Sequence, residues 1–167
     1  TDRTREAIAS SILASRGLDI SESRVLDAFA GSGAMGFELL SRGALYATFV
    51  DKDRKTCDRI KRTAKSLGVA SSEMSVICGD TVRLAESSQL FGAPFDVVIL
   101  DPPYAVEVEV VSKMLKDLIQ SESLTNDAVV VYEHSHKTDS VSLDDFELSK
   151  SKRYGIAQVD VLVRCEG

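Results

Sequence analysis

The sequence predicts an α/β protein with a mostly parallel seven-stranded sheet, a C-terminal antiparallel hairpin and helices on both faces. Three observations carry this. Short apolar runs alternate with amphipathic stretches, the pattern of a parallel sheet covered by helices. A glycine-rich turn follows the first apolar run directly. After the fifth run the rhythm changes to two β-rich segments separated only by a short turn.

Taken in order, Thr1 and Asp2 cap a predicted helix from Arg3 to Ala14. Parallel strands are expected at Arg24 to Ala28, Leu45 to Asp51, Met74 to Gly79, Phe95 to Asp101 and Asn126 to Glu133. Helices are expected between them at Ala34 to Arg42, Asp53 to Leu67, Thr81 to Ser88 and Glu107 to Ser121. The second of these is the clearest, because Cys57, Ile60, Ala64 and Leu67 recur at helical spacing and Gly68 supplies a stop. Phe146 to Tyr154 and Gln158 to Arg164, joined through Gly155 and Ile156, form the closing hairpin.

With 167 residues, 44% hydrophobic and 28% charged, and no repeat or low-complexity linker, the chain reads as one domain spanning residues 1–167. No apolar run approaches the roughly 20 residues of a membrane span, and no charged-then-apolar leader is present. A soluble, cytoplasmic protein is expected. Because the sequence begins at Thr1 without an initiator Met, further residues upstream are also expected. Cys57, Cys78 and Cys165 are scattered and odd in number, which argues against zinc or a disulfide framework and for buried or inert thiols.

The formal charge of −6 argues against nucleic acid, since phosphate contacts need Lys and Arg. Its distribution matters more. Lys52, Arg54, Lys55, Arg59, Lys61, Arg62 and Lys65 face only two acids within their stretch, a local excess of five positive charges. These side chains are expected on the solvated outer face of the helix.

The glycine turn reads RVLDAFAGSGAMG and contains Gly31, Gly33 and Gly36 in G-x-G-x-x-G spacing, where the backbone turns sharply and approaches a ligand closely. Nucleotide-binding Rossmann proteins share this spacing, and Asp51 lies where an NAD ribose ligand would. Asp27 separates the readings: a carboxylate just before the loop repels a pyrophosphate but suits the ammonium of a methionine moiety. Asp51 can accept both ribose hydroxyls, and Asp80 can accept from an adenine amino group. Either acid could instead cap the next helix. Together the three suit S-adenosylmethionine better than NAD.

The strongest signal is Asp101-Pro102-Pro103-Tyr104, at the end of the apolar run FDVVIL. Two prolines fix φ and remove two N–H donors, so the backbone there is rigid and offers acceptors only. An aryl amine is the group such a site can use. Its lone pair is delocalised into the ring until acceptors hold its hydrogens, which Asp101 and the Pro102 carbonyl can do. Tyr104 can stack on a base rotated out of its neighbours. The plainer alternative is a Pro-rich turn that caps the following helix. His134 and His136 are expected as solvated loop residues that make a weak metal site, and no metal is expected.

The succession TDRTREAI, VLDAFAGSGAMGFELLSRGA, FVDKD, GD, DVVILDPPY and KRYGIAQVDVLV closely resembles the bacterial small-subunit ribosomal RNA guanine-N2 methyltransferases, over nearly the whole chain. The resemblance implies a monomeric, Rossmann-like enzyme that uses S-adenosylmethionine to modify one guanine of 16S RNA, either naked or in an assembling small ribosomal subunit. It also implies that Asp27, Gly31 and Gly33 line the methionine end, Asp51 the ribose and Asp80 the adenine. Phe29, Ala30 and Ser32 of the loop, with Lys52 and Thr81 beside the two acids, are further cofactor candidates. Asp101, Pro102, Pro103 and Tyr104 form the implied catalytic pocket, and Arg3 and Arg5 are candidates for RNA or cofactor contacts. Rival readings are an amino methyltransferase acting on adenine N6 or a glutamine amide, an NAD-dependent oxidoreductase, and a binding module without turnover.

Overall fold

The computed structural model describes residues 2–166. In chain order the elements are α1 (Asp2–Ser15), β1 (Arg24–Asp27), α2 (Ala34–Ser41), β2 (Tyr46–Asp51), α3 (Arg54–Leu67) and β3 (Met74–Cys78). They continue with α4 (Thr81–Ser87), β4 (Phe95–Leu100), α5 (Val108–Gln120), β5 (Leu124–Ser135), β6 (Phe146–Tyr154) and β7 (Ala157–Arg164). The seven strands form one sheet in the order β3-β2-β1-β4-β5-β7-β6. All pairs are parallel except β5–β7 and β6–β7, so the C-terminal hairpin inserts its second strand against β5. The fold class is the Rossmann-like α/β arrangement that the sequence predicts.

Each central strand is apolar on both sides because helices cover both faces. Val25, Phe49, Val97 and Val129 face a layer completed by Ile12 of α1, Leu39 of α2 and Ile60 of α3. Leu26, Val50, Val98 and Val130 face the opposite layer, with Ala85 of α4 and Met114 and Leu118 of α5. The strand order reverses between β1 and β4. Their connections leave in opposite directions there, which opens a crevice at the carboxyl ends of the strands.

Local chemistry sets the element ends. Asp53 begins α3 by accepting the Thr56 N–H at 2.9 Å, and Gly68 ends it with φ of 73°, a left-handed conformation that costs a glycine little. The seven basic residues from Lys52 to Lys65 are all exposed, on the outer face as expected. Gly36 lets α2 lie tight on the sheet: a Cβ there would stand 2.3 Å from the Phe49 ring.

Two expectations need correction or restriction. The start of α1 agrees with a helix there, but the Thr1 cap lies outside the described residues. His134 is not a solvated loop residue. β5 runs two residues past the predicted end, pairing with β7 as far as Ser135 opposite Ala157. That pairing buries His134, whose Nε2 lies 2.5 Å from a carboxylate oxygen of the equally buried Asp160. The His134 ring also stacks on Tyr132 at 4.6 Å between centroids. His136 lies in the turn beyond the strand and is half-buried. Of the thiols, only Cys57 is buried, and loss of solvent pushes it up to about 11. Cys78 is exposed.

Candidate active site

The crevice is a cleft of about 900 Å³ along the carboxyl edge of the sheet. Its floor is built by the chain segments that leave β1, β2, β3 and β4. The loop after β1 is held in place from both sides: the Ala28 N–H donates to the Ile99 carbonyl at 3.1 Å and the Ala30 N–H to the Val50 carbonyl at 2.9 Å. Gly31 then turns with φ of +55°, and a Cβ built on it would meet nothing within 4 Å, so the loop backbone is open on that side.

Asp51, at the end of β2, braces this loop. One carboxylate oxygen accepts the Gly31 N–H and the other the Asp53 N–H, both at 3.0 Å. Each oxygen keeps a lone pair free for a further donor. Asp80 accepts the Val82 N–H at 3.0 Å and so caps α4 while also lining the cleft. Thr81 is buried, and its hydroxyl donates to the Ala28 carbonyl, which ties the third strand end to the glycine loop.

Ten of the candidates named from sequence line this one cleft: Phe29, Gly31, Asp51, Lys52, Asp80, Thr81, Asp101, Pro102, Pro103 and Tyr104. The others do not. Asp27 is buried below the loop, where its carboxylate accepts the Gly36 N–H at 3.1 Å. Burial raises that carboxyl to about 7, against the lowering effect of the Gly36 bond and with a smaller contribution from Asp51. The Ala30 amide is spent on β2, and Gly33 begins α2. Ser32 is exposed on the loop. Arg3 is exposed on the first turn of α1. Arg5 is ion-paired with Asp2 at 2.8 Å and Glu38 at 3.6 Å.

At the β4 end the character of the wall changes. Pro102 and Pro103 have no N–H to give Asp101. The Pro103 carbonyl accepts the Val106 N–H at 2.9 Å, and the Pro102 carbonyl has no protein donor among the described residues. Asp101 instead faces another carboxylate, Glu133 of β5. Loss of solvent in the cleft, then Glu133, then the charge of Asp27 push Asp101 up to about 7. Tyr104 stands on the rim, 73% exposed, between this cleft and a second cavity of about 610 Å³ on the far side of the prolines. Val106, Val110 and Glu133 also line the cleft and were not singled out from sequence. Glu133 ends the fifth apolar run with an acid, as Asp51 and Asp101 end theirs, and that signal was available.

The arrangement offers a long, partly apolar trough with carboxylates set for hydroxyl and amine donors, and one rigid corner that only accepts. Several known proteins are similar to this chain in sequence or in fold. The family model described as Conserved hypothetical protein 95 matches residues 1–163. Ribosomal RNA small subunit methyltransferase D from Haemophilus influenzae is 31% identical over 138 residues, covering 82% of this chain and 69% of that protein. The crystal structure of a Haemophilus influenzae protein superposes with a TM-score of 0.83 at 28% identity, covering 99% of this chain and 98% of that one. Magnesium protoporphyrin IX methyltransferase from Synechocystis, solved with bound S-adenosylmethionine, gives a TM-score of 0.72 at 17% identity over 98% and 79% of the two chains, a likeness of fold alone. With nearly its whole length matched by the family model, the chain belongs to the family of Conserved hypothetical protein 95.

Proposed function

We propose that this chain is an S-adenosylmethionine-dependent methyltransferase that acts on the N2 amino group of a guanine in small-subunit ribosomal RNA, alone or in an assembling subunit. The observation that carries the reading is the corner at the end of β4. There Asp101, the prolines and an unengaged Pro102 carbonyl present acceptors only, at the mouth of a cleft built on a glycine loop. Membership of the family and the names of its relatives support the substrate class.

The residues present fit the cofactor. The cleft has the volume of a small-ligand pocket. Gly31 leaves its backbone open, and Asp51 has lone pairs left for two hydroxyls after bracing the loop. Asp80 would take the adenine amino group, with Phe29, Lys52 and Thr81 beside it. Asp27, under the loop, would act on the methionine ammonium through its charge and through the orientation of α2. When bound, S-adenosylmethionine supplies a methyl group on a positively charged sulfur.

The chain's own part is positioning and charge. Asp101 and the Pro102 carbonyl hold the two amine hydrogens and so draw the nitrogen lone pair out of conjugation. So held, the nitrogen would take up the methyl group that the bound cofactor would supply. The nitrogen then carries the positive charge and gives up one proton to the Asp101 carboxylate, from which it passes to solvent. Alignment of the reacting atoms and stabilisation of the charge developing on the amine supply the rate. Tyr104, exposed on the rim, stacks on the extruded base.

Incubation with tritiated S-adenosylmethionine and undermodified small ribosomal subunits, followed by nucleoside analysis, tests the proposal. N2-methylguanosine is the expected product. Label in N6-methyladenosine or in protein would replace the substrate assignment, and no label at all would remove the enzymatic one.

A further inference from the structure

We infer that Glu133 is a specificity-determining residue of this site: its carboxylate accepts the N1–H of the target guanine while Asp101 beside it holds the N2 amino group. The inference rests on the guanine-N2 reading and adds to it the means by which the base is chosen.

The register places the two carboxylates side by side. β4 and β5 are parallel, with Leu100 opposite Tyr132, so Asp101, the first residue past β4, follows that pair beside Glu133 of β5. They also continue one face. Val97 and Ile99 of β4 and Val129 and Val131 of β5 point into the same core layer, and the two-residue period carries that face on to Asp101 and Glu133. Both line the cleft, and Glu133 alone of the pair also lines the second cavity, behind Tyr104. A base stacked on Tyr104 would therefore present its edge to both.

No Lys or Arg forms an ion pair with either carboxylate among the described residues, and no backbone N–H can come from the two prolines. The two acids thus share one cleft without a protein donor among the described residues, an arrangement that improves when a ligand brings N–H donors to both. The edge of guanine fits this demand. Its N1 and N2 are adjacent and both are donors, whereas adenine offers an acceptor at N1 beside its amino group. Two carboxylates thus match guanine and oppose adenine, and rejection arises from an unpaired acceptor pair as much as from attraction to the right base.

The test uses small subunits reconstituted with transcribed 16S RNA that carries either guanine or 2-aminopurine at the position the wild-type enzyme methylates. 2-Aminopurine keeps the amino group but has a lone pair at N1. Wild-type enzyme should prefer guanine by about 10- to 100-fold in kcat/KM, the loss expected when a polar contact is left mismatched. Glu133→Gln can donate to that lone pair, so it should move the preference toward 2-aminopurine by about tenfold or more. A purely structural role would lower both substrates by one factor, and that result overturns the inference. So does wild-type enzyme that methylates both bases equally, a measurement that needs no variant. If the wild type forms no N2-methylguanosine, the guanine reading itself fails, and the role of Glu133 fails with it.

Discussion

On the β1 to β3 side of the cleft every strand-end carboxylate accepts a backbone N–H: Asp27 from Gly36, Asp51 from Gly31 and Asp53, and Asp80 from Val82. On the β4 to β5 side, Asp101 faces two prolines and a second carboxylate, Glu133. The same residue type along one edge of the sheet thus has two kinds of hydrogen-bond setting, decided by what the following loop can donate. A carboxylate braced by amides is held in place with lone pairs to spare, which suits the hydroxyls of a bound nucleoside. A carboxylate denied amides lacks partners until an amine arrives. On the proposed function, the difference separates a binding half from a reacting half.

The sharpest way to break that comparison is to remove one acid from each half. Asp101→Ala should lower kcat by about 10²- to 10³-fold, the scale of a lost transition-state contact, and leave cofactor affinity nearly unchanged. Wild-type turnover in this variant would take Asp101 out of the reaction. Asp51→Ala should do the reverse: calorimetry should show weaker S-adenosylmethionine and weaker demethylated product, each by about 1 to 3 kcal/mol, or roughly 5- to 150-fold. Unchanged affinity there would end the ribose assignment.

Tyr104 sharpens the same division, because it stands between the two cavities with its ring 73% exposed. Stacking needs only the aromatic face, so Tyr104→Phe should keep most activity. Tyr104→Ala should lose about 1 to 3 kcal/mol in RNA-dependent kcat/KM, with no change in cofactor binding. If Phe proved as poor as Ala, the hydroxyl would matter and stacking would not be the explanation.

What was legible in the sequence was local or periodic. Helix α3 followed from Cys57, Ile60 and Ala64 and the Gly68 stop, and the glycine loop and DPPY announced themselves by composition. What escaped depended on pairing between distant segments. His134 sits just past the predicted strand in EHSH, which reads as a polar loop until Gln158 and Asp160 of β7 are laid beside it. Glu133 gains a role only because β5 is registered on β4, some thirty residues earlier in sequence. Asp27 was read correctly as the acid before the loop, but its burial beneath that loop follows from how closely Gly36 lets α2 approach, a packing fact.

The smallest effect predicted is on pH, and it bears on why the two halves differ. Asp101 is raised from 3.8 to about 7 by lost solvation first and by Glu133 second. It must be ionised to hold the amine, so kcat/KM for RNA at saturating cofactor should climb through about pH 7 and be about tenfold below its plateau one unit lower. Stability should run the other way. The folded protein keeps protons on Asp27 and Asp101 that the unfolded chain releases near 3.8. The stabilisation from those protons is full below 3.8, declines as pH rises and is lost above about 7. Asp27→Asn should flatten its share of that decline in thermal unfolding, and Asp101→Asn should remove the rise from whatever activity remains. The two acids are therefore separable: both should shape the stability curve, and Asp101 alone the rate. A wild-type rate already flat across this range would mean that the acceptor is ionised well below neutrality. The contrast between the two sides of the cleft would then have no chemical consequence.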